Sequence, residues 1–182
     1  IEGMRKVNTL IVDKTGTLTE GKPAFDRVVA AQGQTETSVL QIAASIDQGS
    51  EHPLAQAIVT EARKRDLILD KPESFESSSG IGVRGIVAGQ RIAVGNTALM
   101  DEEKIEWISL SAQAEELRSE GASVMHVAVD GKLIGLVAVS DPIKATTMGA
   151  LSALREAGIN VIMATGDGVT TAKSVAGKLG IS

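Results

Sequence analysis

The heptapeptide Asp13-Lys14-Thr15-Gly16-Thr17-Leu18-Thr19 follows directly on the apolar run Leu10-Ile11-Val12. The run reads as a buried strand, which places one carboxylate, Asp13, at its C-terminal mouth where the chain turns. Open α/β sheets bind ligands at that edge. Gly16 and the threonines at 15, 17 and 19 supply backbone N–H groups and hydroxyls that suit phosphate oxygens. A carboxylate set there can attack a phosphoryl group and hold it as an aspartyl-phosphate. An isolated Asp after a strand is more often a plain turn residue, so the reading depends on the rest of the chain.

Thr165-Gly166-Asp167 repeats the arrangement, at the end of the short apolar run Val161-Ile162-Met163. By itself this motif is an ordinary turn. On a strand beside that of Asp13 it would let Thr165 hydrogen-bond phosphoryl oxygens while Asp13 attacks. Ser50-Glu51-His52-Pro53-Leu54 puts a His before a Pro in its favoured first-turn position, so His52 caps a helix, contacts a ligand, or both. Gly80-Ile81-Gly82-Val83-Arg84-Gly85 has G-x-G-x-x-G spacing but is not the dinucleotide fingerprint. That motif passes from a strand into a helix, whereas here Ile86-Val87 continues as a strand. Gly95-Asn96 stands at the next strand end.

The elements that must position these residues fall into two rhythms. A strand at 7–12 carries Asp13, and residues 20–35 read as a polar exit containing Gly21, Pro23 and Gly33. Helices are expected at 36–48, with Val39, Ile42, Ala43 and Ile46 on one face, and from Pro53 through Arg63-Lys64-Arg65. Strands 83–87 and 91–94 flank Ala88-Gly89-Gln90, and a helix is expected near 102–119, with Trp107 packing on it. Val124–Val129 and Lys132–Val139 flank Asp130-Gly131, a type I′ hairpin signal. From Asp141 a helix over 144–157, with Met148, Leu151 and Leu154 inward, leads to the buried strand before Thr165. The fold expected is therefore α/β: a parallel domain, 1–22 plus 139–182, split by an inserted α+β antiparallel-sheet domain, 23–138, with helices on one face.

Bulk properties narrow the chemistry. The 182 residues are 43% hydrophobic and 23% charged, as in a soluble globular protein. No stretch approaches the roughly 18 apolar residues of a membrane helix, so no membrane insertion is expected of this chain. A net charge of -5 disfavours nucleic acid as partner. With no Cys and only His52 and His126, a thiolate or imidazole cage is out of reach, and a hard ion held by oxygens, Mg²⁺, is the metal expected. Both ends look cut, as in a monomeric segment excised from something longer.

The heptapeptide resembles the phosphorylation motif of the P-type ATPases at all seven positions, within the wider haloacid dehalogenase-like superfamily. Ser50-Glu51-His52-Pro53-Leu54 resembles the signature of the heavy-metal branch. The resemblance implies ATP and Mg²⁺ as cofactors, a haloacid dehalogenase-like phosphorylation domain lacking its later strands, and an inserted nucleotide-binding domain. It implies Asp13, Lys14, Thr15, Thr165, Gly166 and Asp167 as catalytic, with Asp13 and the Thr15 carbonyl on Mg²⁺. Glu51 and His52 would contact adenine, and Gly80, Ile81, Gly82, Gly85, Gly95 and Asn96 the rest of the nucleotide. Asp141-Pro142-Ile143-Lys144 matches the family hinge, and with Glu51 leans towards copper or silver pumps.

Phosphatases of the superfamily carry a second Asp where this chain has Thr15. Losing that acid/base implies a long-lived phosphoenzyme and disfavours a plain phosphatase; a non-catalytic nucleotide-binding module is the other alternative. Gly168 departs from the family's usual Asn. The family's later Lys and its Gly-Asp-Gly-x-Asn-Asp segment would lie beyond Ser182. The segment is thus expected to bind ATP with incomplete turnover, as the cytosolic part of a membrane pump whose membrane and actuator domains are its partners.

Overall fold

The computed structural model describes residues 7–182. Strand β1 (Thr9–Asp13) runs into a wide turn at residues 14–18 and on to β2 (Ala24–Ala30). Helices α1 (Glu36–Asp47) and α2 (Pro53–Lys64) precede β3 (Ser74–Ser78), β4 (Gly82–Val87) and β5 (Gln90–Gly95). Then come α3 (Thr97–Glu102), a 3-10 turn at Ile108–Leu110, α4 (Ser111–Ser119), and the hairpin of β6 (Ser123–Val129) and β7 (Lys132–Ser140). The chain continues through α5 (Thr147–Glu156), β8 (Asn160–Ala164) and α6 (Val169–Leu179). No helix among the described residues is long and apolar enough to cross a membrane.

β1 and β8 form a parallel pair, and the other six strands form an antiparallel sheet in the order β2-β7-β6-β5-β4-β3. Local chemistry explains much of this. Thr35 caps α1 by accepting from the Ser38 N–H at 3.2 Å, and Pro53 occupies the first turn of α2. Asp130 and Gly131 both have positive φ, 47° and 81°, as the type I′ turn requires. Ala88 and Gly89, at 50° and 73°, form the same turn between β4 and β5.

Several expectations need correction. The polar exit at 20–35 contains β2, an edge strand whose alternation is blurred by Asp26 and Arg27. The expected helix over 102–119 is broken into α3, an irregular stretch and α4. Trp107 precedes the 3-10 turn, edge-on to His126 with its Nε1 donating to Asp101, rather than lying on a long helix. Helices cover both faces of the six-stranded sheet: α1 and α2 pack over Val83, Ile92, Val127 and Val137, while α3 and α4 cover Ala93, Ala128, Leu136 and Ala138. That double cover buries β7 continuously from Ile134 to Val139. The parallel pair is the opposite case. Ile11 is 68% exposed, and Leu10, Ile162 and Met148 are also exposed, because two strands and two helices enclose only the side holding Leu18, Leu151, Val161 and Leu179.

Gly85 shows how closely α1 is laid on the sheet. A Cβ there would stand 2.0 Å from the Ser74 carbonyl oxygen and 2.9 Å from Ile46 Cδ1. Gly135 admits Val39 in the same way, so α1 crosses from β7 at its start to β4 at its end. Gly85→Ala is expected to destabilise the chain by about 3 kcal/mol through overpacking, read as a lower urea midpoint with unchanged slope.

Candidate functional site

Parallel pairing of β1 with β8 sets Thr9 opposite Asn160 and Asp13 opposite Ala164. Thr165-Gly166-Asp167 therefore leaves the sheet immediately beside Asp13, at the C-terminal edge of both strands. Asp13 is exposed. Beyond it Thr15 (φ -73°, ψ 123°) and Gly16 (φ 77°, ψ -14°) make a type II turn, which demands positive φ at its third residue and explains the glycine. The Thr19 N–H closes the loop on the Lys14 carbonyl at 3.1 Å.

Thr19, 1% exposed, is the hub that holds this loop. Its hydroxyl donates to Asp141 Oδ2 at 2.6 Å and accepts from the Gly16 N–H at 3.2 Å. Asp141 Oδ1 accepts from the Lys22 N–H, Lys144 Nζ donates to the Gly16 carbonyl at 2.5 Å, and the Thr147 hydroxyl donates to the Leu18 carbonyl. The Asp141–Lys144 motif thus braces the Asp13 turn from the return crossing. Spacing alone does not reveal this, because the partners lie 119 to 129 residues apart.

Lys14 turns inward, only 7% exposed, and its ammonium pairs with Asp167 Oδ2 at 2.5 Å. The other carboxylate oxygen of Asp167 accepts from the Ser123 hydroxyl at 3.3 Å. Thr165 Oγ1 accepts from the Asp167 N–H, which leaves the hydroxyl proton free to donate outward. Gly166 is exposed, with open space where a Cβ would be. The edge therefore offers one exposed carboxylate, an uncommitted hydroxyl proton and two nearby lysines, a set able to receive a phosphoryl group.

The second group of residues gathers at one end of the six-stranded sheet. Ser78 pairs with Gly82, Gly82 with Gly95, Gly95 with His126 and Ser123 with Val139, while Ala24 pairs with Ser140. The Gly80–Gly82 turn and Gly95-Asn96 consequently face the end where the chain enters β2 and leaves β7, the end that meets the Asp13 edge. A Cβ on Gly82 would come 2.3 Å from the Val94 carbonyl oxygen, and one on Gly95 2.2 Å from that of Ile81, so both glycines permit a close approach of the paired ends of β4 and β5. Asn96 ties the turn down: its Nδ2 donates to the Gly80 carbonyl and its Oδ1 caps α3 at the Leu99 N–H. Ile81 packs inward against Leu99 and Met100. Gly85 lies three residues further along β4 beneath Ile46, where the Ser74 carbonyl and Ile46 leave no room for a Cβ.

Glu51 and His52 are exposed on the α1–α2 loop. Gly49 of that loop abuts Phe75 of β3, where a Cβ would lie 2.7 Å from the ring. His52 Nδ1 accepts from the Leu54 N–H at 3.2 Å, so His52 does cap α2. The cap also assigns the neutral ring's proton to Nε2 and fixes its orientation.

Sequence reasoning missed Asp47. It is 3% exposed, its Oδ2 has no hydrogen-bond partner, and burial pushes its pKa up to about 7. The signal was present: Asp47 follows Val39 and Ala43 at helical spacing and so lies on the apolar stripe of α1.

The haloacid dehalogenase-like hydrolase pattern matches residues 7–182. A silver-exporting P-type ATPase of Salmonella typhimurium is 48% identical over all of this chain, and a copper-exporting P-type ATPase of Legionella pneumophila is 49% identical. The chain spans 22% and 24% of the length of these two relatives. The crystal structure of a zinc-transporting PIB-type ATPase in its E2.Pi state superposes over the whole chain, and 29% of that protein, with a TM-score of 0.72 at 34% identity. The chain belongs to the haloacid dehalogenase-like hydrolase family, and over its full length it is similar to copper- and silver-exporting P-type ATPases.

Proposed function

We propose that this chain is the ATP-binding and phosphoryl-accepting cytosolic part of a heavy-metal P-type ATPase that exports Cu⁺ or Ag⁺. It comprises a phosphorylation domain, 1–22 with 139–182, and an inserted nucleotide-binding domain, 23–138. The observation that carries the reading is the convergence of two edges: Asp13 beside Thr165-Gly166-Asp167, and the Gly80–Gly82 and Gly95-Asn96 strand ends turned towards the same junction.

In this reading adenine lies against the His52 ring, and its exocyclic amine donates to Glu51 or to the free oxygen of Asp47. The glycine turn approaches the ribose and phosphates through backbone atoms. The γ-phosphoryl then reaches Asp13. A carboxylate oxygen of Asp13 forms the new O–P bond as the bond to the β-phosphate oxygen breaks, and the electron pair leaves with ADP. Thr165 donates to an equatorial phosphoryl oxygen, and Lys14 and Lys144 lower the cost of charge at the loop.

Mg²⁺ fits the oxygens present. Among the described residues there is no cluster of three or more ionisable ligands, and Mg²⁺ is held by one or two carboxylates with waters and substrate phosphates. Asp13 and the Thr15 carbonyl would hold it. Bound there, it would neutralise charge on the transferring phosphoryl group.

Calorimetric titration with ATP beside GTP tests the nucleotide site. ATP-selective binding is expected, weakened about tenfold or more by His52→Ala and by Glu51→Ala, in line with about 1.5 kcal/mol or more per stacking or charged hydrogen-bond contact. No ATP binding by the folded chain would remove the reading.

A further inference from the structure

Helix α6, which begins directly after Thr165-Gly166-Asp167, is fastened to α4 by its side chains. The intrahelical ladder of α4 ends with the Arg118 carbonyl, which accepts from Gly121. The next carbonyls receive donors from α6. The Ser174 hydroxyl donates to the Ser119 carbonyl at 2.7 Å, Lys178 Nζ donates to the Glu120 carbonyl, and the buried Thr171 hydroxyl donates to the Ala122 carbonyl at 2.8 Å. Thr170 Oγ1 adds a 2.6 Å bond to Glu115. Carbonyls at a helix C-terminus lack partners within their own helix and carry the negative end of its dipole, so hydroxyl donors and an ammonium suit them. Gly121, at φ +97°, leaves room for the approach: Lys178 Nζ and Val175 Cγ2 lie 3.3 and 3.5 Å from where its Cβ would be.

The placement matters because the six-stranded sheet is otherwise attached to the Asp13 edge along one line. The two chain crossings run side by side, with Thr19 bridged to Ile143, the Glu20 N–H bonded to the Pro142 carbonyl, and Ala24 paired with Ser140. Two adjacent crossings make a hinge and leave rotation about it free. The α4–α6 contact is a third attachment away from that line. It ends at Ser123, whose hydroxyl reaches Asp167, itself paired with Lys14 beside Asp13.

We propose that Thr171, Ser174 and Lys178 form a latch that fixes the angle between the six-stranded sheet and the Asp13 edge, and carries any change of that angle through α6 to Asp167. The consequence for phosphoryl transfer rests on the proposed phosphorylation of Asp13 by ATP. The latch itself does not, and can be measured without nucleotide.

The chain has no cysteine, so Lys71→Cys and Ala153→Cys, the first at an exposed position and the second on the outer face of α5, allow spin labels to be placed at two sites only. Pulsed electron–electron resonance on the nucleotide-free protein is expected to show one narrow distance. Removing the three donors in Thr171→Val/Ser174→Ala/Lys178→Ala, or setting a negative charge against the α4 carbonyls with Thr171→Glu, is expected to add a second, broader population. Thr171→Ser, which keeps the hydroxyl, retains the single distance. Ser174→Ala/Lys178→Ala leaves the buried Thr171 untouched and serves if the buried substitutions prevent folding; it too broadens the distribution. A broad distribution in the doubly labelled chain with all three donors intact, or an unchanged narrow one in folded variants lacking the donors, overturns the latch. Failure of ATP to bind would leave these distances as they are and would count against the function alone.

Discussion

Asp13→Asn is expected to carry no acid-stable label after incubation with radiolabelled ATP and Mg²⁺, whereas the unsubstituted chain acquires a label that hydroxylamine removes. An amide cannot form the acyl phosphate, so the loss should be complete rather than graded. The side chain is exposed at the end of β1, so the fold should be unaffected. ATP binding should be retained, because the nucleotide contacts proposed lie on the other sheet, and removing a negative charge near the γ-phosphate favours binding. Equal labelling of the Asn variant would place the phosphoryl group elsewhere and dismiss Asp13 as nucleophile. No label on either protein, with ATP bound, would describe a nucleotide-binding module without catalysis. Conversely, rapid hydrolysis of p-nitrophenyl phosphate abolished by Asp13→Asn would revive the phosphatase reading that Thr15 disfavours.

Asp47→Asn is expected to stabilise the nucleotide-free chain at pH 8 by on the order of 2–4 kcal/mol while weakening ATP binding. Desolvation raises the folded-state pKa of Asp47 to about 7, against about 4 in the unfolded chain. The folded state therefore holds the proton more tightly, and stability falls as pH rises from about 4 to 7, then levels. His126 acts in the opposite sense. It is fully buried, both ring nitrogens lack partners, and desolvation, reinforced by the charge of Arg118, lowers its pKa to about 4. Its contribution is lost as pH falls from about 6.5 towards 4, because the unfolded chain takes the proton first. The two slopes oppose each other over that window.

Urea unfolding across pH 4.5–8 should show a shallow profile for the unsubstituted chain and a clear rise with pH for Asp47→Asn. Identical profiles would mean that Asp47 does not titrate unusually. If its free oxygen accepts the adenine amine, ATP stabilises the ionised form, and affinity should weaken as pH falls below 7 in the unsubstituted chain only. A carboxylate that costs stability when the site is empty and strengthens binding when it is full is a stability–function trade.

The residues of the Asp13 turn, the His52 loop and both hairpin turns are legible in the amino-acid sequence alone, because their chemistry is local. Gly16 needs positive φ, Pro53 suits a first helical turn, and Asp130-Gly131 makes a type I′ turn wherever the chain goes next. The apolar spacing of α1 and α2 is readable for the same reason. β2 and β3 are not. One carries Asp26 and Arg27 and the other reads Ser-Phe-Glu-Ser-Ser, and at the edges of a sheet neither needs a continuous apolar pattern. Helices on the second sheet face escape the sequence as well: β7 is an almost unbroken apolar run, and burial on two faces erases the alternation that shows which side is covered.

The chemistry-bearing motifs can be found one by one, whereas their partnership depends on contacts between residues far apart in the chain. Thr19 with Asp141, Lys14 with Asp167, Ser123 with Asp167 and Thr171 with the Ala122 carbonyl each join segments separated by 44 to 153 positions, and only folding places those groups within hydrogen-bonding distance. The same holds for Asp47, an ordinary acidic residue in sequence, whose unusual proton affinity arises from the water that packing removes around it.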